Sequence, residues 1–186
     1  MRWLNEPPAW SQDAGTIRLT TAPDTDFWRT THYGFVRDTG HFRYERVTGD
    51  FTARVRIEGA YRDQYDQAGL MVRLDAATWM KCGIEYVDGR QWASAVVTRE
   101  LSDWSVVALD PEPPSLWIEV KRTAEAIQVS FGEQHPDCLL RLGALTGEDA
   151  LEVGIMAASP DGTGFEVALY GFEVEPHRGY MSGSAW

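Results

Sequence analysis

Residues 65–98 read YDQAGLMVRLDAATWMKCGIEYVDGRQWASAVVT, three alternating runs joined by short polar connections, the signature of a β-meander. The second connection holds Asp88-Gly89, a strong hairpin signal because a type I′ turn needs positive φ at both central residues. A two-residue loop there sets Val87 opposite Arg90, Glu85 opposite Trp92, Gly83 opposite Ser94, Lys81 opposite Val96 and Trp79 opposite Thr98. The other face pairs Ile84 with Ala93, Cys82 with Ala95 and Met80 with Val97. That face is apolar throughout, so register and burial pattern agree and it is the predicted core side.

The preceding run supplies a third strand, with Leu70, Val72 and Leu74 toward the core. Only an odd loop keeps the faces consistent, which aligns Arg73 with Trp79, Met71 with Lys81, Gly69 with Gly83 and Gln67 with Glu85. The non-core face then carries rows across three strands: Gln67, Glu85, Trp92; Gly69, Gly83, Ser94; Met71, Lys81, Val96; Arg73, Trp79, Thr98. A row of glycines between rows of large side chains predicts a groove floor with walls, since strand glycines mark close approach of a ligand or another backbone.

Outside the meander, residues 1–8 suggest a short strand stopped by prolines, and residues 16–21 a second strand. Residues 22–42 are rich in aromatics without a period and are expected to form a long packing or functional loop with strand fragments. Residues 50–61 alternate cleanly, as do 115–132. Short runs at 138–142, 151–158 and 164–175 complete about a dozen expected strands, with SPDG at 159–162 as a turn. No window shows helical periodicity. The pattern predicts a two-sheet sandwich, with an up-and-down barrel as the alternative; long crossovers at 22–41 and 110–115 favour the sandwich. Residues 1–176 read as one domain and 177–186 as a tail.

The chain has 186 residues, 12% aromatics, 8 tryptophans and a formal charge of −11. That acidity argues against nucleic acid and anionic membranes as partners, because both need basic patches. Neither a signal segment nor an apolar window long enough for a membrane span is evident. Cys82 and Cys138 form no disulfide framework, so the expected location is cytoplasmic. His32, His41, His135 and His177 lack ligand spacing, and no metal or other cofactor is expected. His32 and His41 are read as packing or turn residues. Asp24 and Asp26 are too few alone for calcium.

DFW, YGF and DTGHF within residues 26–42, GDFTARV at 49–55, QAGLMVR at 67–73 and WMKCGIEYVDG at 79–89 resemble the domain-of-unknown-function 1349 family, whose best-known relatives are called regulation-of-enolase-protein-like. The resemblance extends over nearly the whole chain, to about residue 176. It implies an all-β, concanavalin A-like lectin/glucanase jelly roll of two curved antiparallel sheets, the concave one forming the cleft in sugar-binding relatives. It implies no known activity.

The expected ligand-binding residues on that face are Gln67, Arg73, Trp79, Lys81, Glu85, Trp92 and Ser94, a set of aromatic and polar groups suited to hydroxyl-rich ligands. Trp104 joins them if the loop after Thr98 is odd, and is buried if it is even. The competing structural reading has the 22–42 loop covering Met71, Trp79 and Trp92 as a second small core. In it, Arg73 beside Trp79 is an ordinary cation–π pair and Lys81 with Glu85 a structural ion pair. Three functions follow: a non-catalytic lectin-like module for a carbohydrate or small polar ligand, a protein-interaction module regulating a metabolic enzyme, or a carbohydrate-active hydrolase or isomerase. The last needs paired carboxyls about 5–5.5 Å apart for retention or about 6.5–9.5 Å for inversion. No catalytic residue is assigned. The face offers Glu85 alone, which Lys81 and Gln67 are expected to hold ionised, with Asp26 and Asp66 the loop candidates for a second acid. In the interaction reading, Trp28 and Phe35 serve as anchors.

Overall fold

The computed structural model describes residues 1–177; the expected tail beyond 177 lies outside them. Three short strands open the chain, β1 (Arg2–Leu4), β2 (Ala9–Asp13) and β3 (Thr16–Thr20). The aromatic segment that follows carries a small hairpin, β4 (Phe27–Arg29) and β5 (Val36–Asp38). Then come β6 (His41–Thr48), β7 (Phe51–Gly59), β8 (Gln67–Arg73), β9 (Thr78–Val87), β10 (Arg90–Arg99) and β11 (Leu101–Ala108). The chain closes with β12 (Leu116–Thr123), β13 (Ala126–Gly132), β14 (Cys138–Ala144), β15 (Ala150–Ala158) and β16 (Glu166–Pro176).

Two antiparallel sheets of seven strands result, in the orders β1-β6-β15-β8-β9-β10-β11 and β14-β13-β12-β7-β16-β3-β2. This is the jelly-roll sandwich, with open edges rather than a closed barrel. β2 was not anticipated: all five of its residues are exposed on a sheet edge, so no alternation of polarity betrays it.

The meander forms in the expected register, with Val87 opposite Arg90, Gln67 opposite Glu85 and Arg73 opposite Trp79. Asp88 and Gly89 have φ of 51° and 78°, the two positive values that a type I′ turn requires. Ile84, Cys82, Met80, Ala93, Ala95, Leu70 and Val72 point inward, where they meet Val55, Ile57, Ile118 and Leu169 of the second sheet. Burial near 25 cal/mol per Å² of apolar surface makes this interlayer the main source of stability.

The glycine row has a different cause from the expected groove floor. Gly69 and Gly83 face each other across β8 and β9, and a Cβ on Gly69 would lie 1.9 Å from the Cys82 carbonyl oxygen. The reciprocal Cβ on Gly83 would meet the Ala68 carbonyl oxygen at 1.9 Å. Close approach here is strand to strand. The buried Met156, opposite Gly69 on β15, shares with Gly83, Lys81 and Ser94 a void of only about 10 Å³, so the row is covered.

Gly69→Ala is therefore expected to destabilise the fold by about 1–3 kcal/mol, the usual cost of overpacking a tight interior. Urea denaturation measures it, and an unchanged midpoint would contradict the steric account.

Candidate functional site

The 22–42 segment lies over the outer face of the first sheet and divides it. Over one half, Phe27 and Trp28 bury Met71, Trp79, Val96 and Met156 beside Phe42. The Phe27 and Trp79 rings meet edge-on at 6.2 Å. The second small core that was one of two readings of this face exists, but it occupies only part of it.

Polar contacts fix the segment at several points. The carbonyl of Asp26 accepts from the backbone N–H groups of Thr39 and Gly40, each at 2.9 Å. Lys81 Nζ donates to Asp26 Oδ1 at 3.3 Å, both groups being buried. Arg73 grips Asp38 through two bonds of 2.7 and 2.8 Å, the bidentate geometry that makes such pairs strong. Arg37 Nη1 donates to the Pro160 carbonyl at 3.3 Å, and Ser102 Oγ accepts from the Arg29 N–H at 2.9 Å.

Over the other half a cavity of about 210 Å³ remains. Gln67, Lys81 and Glu85 form its sheet side, with Trp104 from β11. Asp26, Tyr33, Phe35 and Arg37 come from the covering segment, and Tyr65, Pro160 and Asp161 from neighbouring turns. Trp104 is there because Thr98 pairs with Ser102 around a three-residue loop in which Glu100 takes a φ of 66°. The odd loop places Trp104 opposite Val96 and on the outer face.

Of the residues expected on this face, Gln67, Lys81 and Glu85 come together in the cavity. Arg73 and Trp79 do not: both are buried under the segment, Arg73 in its pair with Asp38. The cation over the Trp79 ring is Lys81, at 5.9 Å, rather than Arg73. Lys81 forms its ion pair with Asp26 instead of Glu85. Trp92 lies outside the lining and donates its indole N–H to the Val87 carbonyl at 3.1 Å. Ser94 stands behind Glu85, donating to its Oε2 at 2.6 Å. Asp66 does not line the cavity; its buried carboxylate accepts from the backbone of Arg62 and Asp63 and from Ser159 Oγ. Tyr33, Arg37, Tyr65, Pro160 and Asp161 were not anticipated. The first two sit in a segment without a period, and Pro160 and Asp161 read only as a turn.

Glu85 is held from two sides within the cavity. Its Oε2 also accepts from Trp104 Nε1 at 2.9 Å, and the same indole N–H lies 3.1 Å from Ser94 Oγ. Burial pushes its carboxyl above the ordinary value; Lys81, Ser94 and Trp104 pull the other way and lose, and Asp26 adds to the rise. This corrects the expectation that Lys81 and Gln67 would dominate. The covering segment removes the water that would have favoured the charged form. At the rim, the Tyr33 and Tyr65 hydroxyls lie 3.2 Å apart. That bond, burial and nearby negative charge push the Tyr33 phenol up to about 12, so it keeps its proton at neutral pH. Among the described residues no group of three or more His, Cys, Asp or Glu side chains could hold a metal ion.

Two packed antiparallel sheets of seven strands, with a recess on the outer face of one, define an all-β jelly-roll sandwich. The chain belongs to the DUF1349 family of proteins of unknown function, whose profile matches residues 3–177. It is 42% identical over 169 residues to Regulation of enolase protein 1 of Saccharomyces cerevisiae, covering 90% of this chain and 85% of that one. The crystal structure of a functionally unknown protein from Saccharomyces cerevisiae superposes with a TM-score of 0.91 at 37% identity, covering 96% of this chain and 97% of the other. The carbohydrate-binding module CBM66 from Bacillus subtilis shares the fold, with a TM-score of 0.62 at 10% identity over 94% of this chain and 95% of its own.

The raised carboxyl has a stability consequence of definite sign. Between the ordinary glutamate value, about 4.3, and the raised one, the folded chain binds more protons than the unfolded chain. Stability therefore falls as pH rises through that window. Glu85→Gln keeps an acceptor for Ser94 and Trp104 but carries no charge. It is expected to be more stable than the parent above the window and equal to it at about pH 4 or below. Urea titrations at a series of pH values test this, and a pH-independent difference would refute it.

Proposed function

We propose that the protein is a lectin-like, non-catalytic module that binds a carbohydrate or related small hydroxyl-rich ligand in the cavity over Gln67, Lys81 and Glu85. The observation that carries this reading is the meeting of Trp104, Tyr33, Phe35 and Tyr65 with a few fixed polar groups in one recess. Aromatic surfaces cover the C–H patches of such ligands while anchored polar groups bond their hydroxyls, the usual composition of a small-molecule site. A non-catalytic role is supported by how the carboxylates are engaged. Asp26 is tied to Lys81, and one oxygen of Glu85 already accepts two bonds. The carbohydrate-binding name of the Bacillus subtilis module is consistent with the same use of the fold. Two unpaired cysteines support the cytoplasm as its location, and no helix among the described residues is long and apolar enough to cross a membrane.

A second reading rests on different residues. Tyr33, Phe35 and Val36 stand exposed at 47%, 36% and 54% on the β4–β5 hairpin, and the yeast relative is named for regulation of enolase. In that reading the hairpin is the contact surface for a metabolic enzyme, with Tyr33 and Phe35 as anchors; Trp28, the other anchor expected from the sequence, is buried and does not serve as one.

A thermal-shift screen against neutral sugars separates the two. Ligand at 100 times its Kd adds about 2.7 kcal/mol, and each kcal/mol moves Tm by about 2–4 °C in a domain of this size. Trp104→Ala is expected to abolish the shift while the protein stays folded, and Val36→Asp to leave it intact. A shift that survives Trp104→Ala would remove the ligand from this cavity. Loss of enolase binding through Val36→Asp, with no sugar shift at all, would establish the second reading instead.

A further inference from the structure

The cavity does not end at its aromatic rim. A second hollow of about 570 Å³ lies beyond it, between the hairpin tip and the start of β11. Trp28, Tyr33 and Trp104 line both. The outer hollow adds Thr31 and His32 from the tip, and Ser102 and Asp103 from β11. The inner chamber, at about 210 Å³, falls below the roughly 300–1,000 Å³ of sites for drug-sized ligands. It suits one small unit, and the space that a longer ligand would need is next door across three aromatic residues.

The charges of the two hollows narrow the chemistry. The chamber holds the carboxyls of Asp26, Glu85 and Asp161 against two cations. Both cations are engaged, Lys81 with Asp26 and Arg37 with the Pro160 carbonyl and, at 4.8 Å, the Phe35 ring. The outer hollow contributes no lysine or arginine to its lining, and its Asp103 carboxylate is paired with Arg141 at 2.6 Å. No surplus of positive charge is available for a phosphate or carboxylate. The overall charge of −11 adds a field that repels anions.

The three shared aromatics differ in exposure in a way that fits a stacking divide. Trp28 is buried and held by its indole N–H on the Thr31 carbonyl at 3.0 Å. It supports Tyr33, whose ring meets it edge-on at 5.6 Å. Trp104 faces the opening at 37% exposure, its indole N–H fixed by Glu85. Rigid rings with one apolar surface open contribute contact area at little entropic cost.

We propose that the ligand is an uncharged glycan of at least two sugar units. One unit lies in the chamber over Gln67 and Glu85, and the next in the outer hollow against His32 and Asp103, with Tyr33 and Trp104 between them. This rests on the reading of the chamber as a carbohydrate site and adds the length and charge of the ligand.

Calorimetric titration of the full chain with glucose, xylose and mannose, then with cellobiose, xylobiose and mannobiose, tests it. Glucose phosphate serves as the charged counterpart. One of the disaccharides is expected to bind at least about tenfold tighter than its monosaccharide, a clearly resolved difference in free energy. Asp103→Ala and His32→Asn should cancel that gain and leave the monosaccharide affinity unchanged. Asparagine tolerates the left-handed backbone at His32, where φ is 64°, and Asp103→Ala removes only a surface ion pair of small worth. Equal affinities for one and two units, both lost in Trp104→Ala, would overturn the two-unit inference and leave the chamber reading standing. Tighter binding of glucose phosphate than of glucose would overturn the neutral ligand. Silence across the whole panel would overturn both readings.

Discussion

The outer face of the molecule depends on the buried contact between Lys81 and Asp26. Lys81 rises from the centre of the first sheet, and Asp26 sits at the root of the covering segment, where its backbone also holds Thr39 and Gly40. One residue thus closes the segment on itself through its backbone carbonyl and pins it to the sheet through its carboxylate. Removing either partner of a buried pair costs about 3–5 kcal/mol because a desolvated charge is left behind. The position of the walls that the segment supplies, Tyr33 and Phe35, follows from this anchor and from the Arg73–Asp38 pair. So does the boundary between the covered half of the face, above Trp79, and the open half, above Glu85.

Desolvation links that anchor to the chemistry of the recess. β8 is buried along all seven residues, its inner face by the second sheet and most of its outer face by the segment and Met156, so the cavity floor has little solvent exposure. In such surroundings a hydrogen bond is stronger and an unpaired polar group more costly than in water. Glu85 shows both effects: Ser94 and Trp104 hold one oxygen firmly, yet burial outweighs them and raises its carboxyl above the ordinary value.

Local chemistry made the meander readable. Asp88-Gly89 dictates a turn type, the turn dictates a register, and the apolar face from Met80 to Val97 admits no other, so pairings from Arg73 with Trp79 to Val87 with Arg90 appear as expected. What was not readable depended on one residue of parity or on the third dimension. Trp104 changes face with a single residue in the Glu100 loop, and a hairpin three residues around is as plausible as one of two from local sequence. Phe27 and Trp28 carry no mark saying that they will lie on Met71 and Trp79 and leave Glu85 open. Arg73 and Trp79 share a row with Thr98 in sequence, but the segment that hides them is set by Asp26 and Asp38, thirty residues and more away in the chain. The family resemblance and the sandwich were legible because they rest on long stretches of strand pattern; the walls of the recess were not, because they come from turns, a short hairpin and a strand whose face hangs on one loop residue.

Cys82 lies on the inner face of β9 between the two sheets, with its thiol pushed far toward the protonated form by burial, whereas Cys138 is exposed on β14. The thiolate is the reactive species toward alkylating agents, so the two sulfurs keep very different clocks. The outer one is open to reagent in the folded chain; the inner one answers only when the meander parts from the second sheet. The chain thereby carries its own gauge of how often its central strands open, and anything seated in the recess above Glu85 that holds those strands together slows that gauge in proportion.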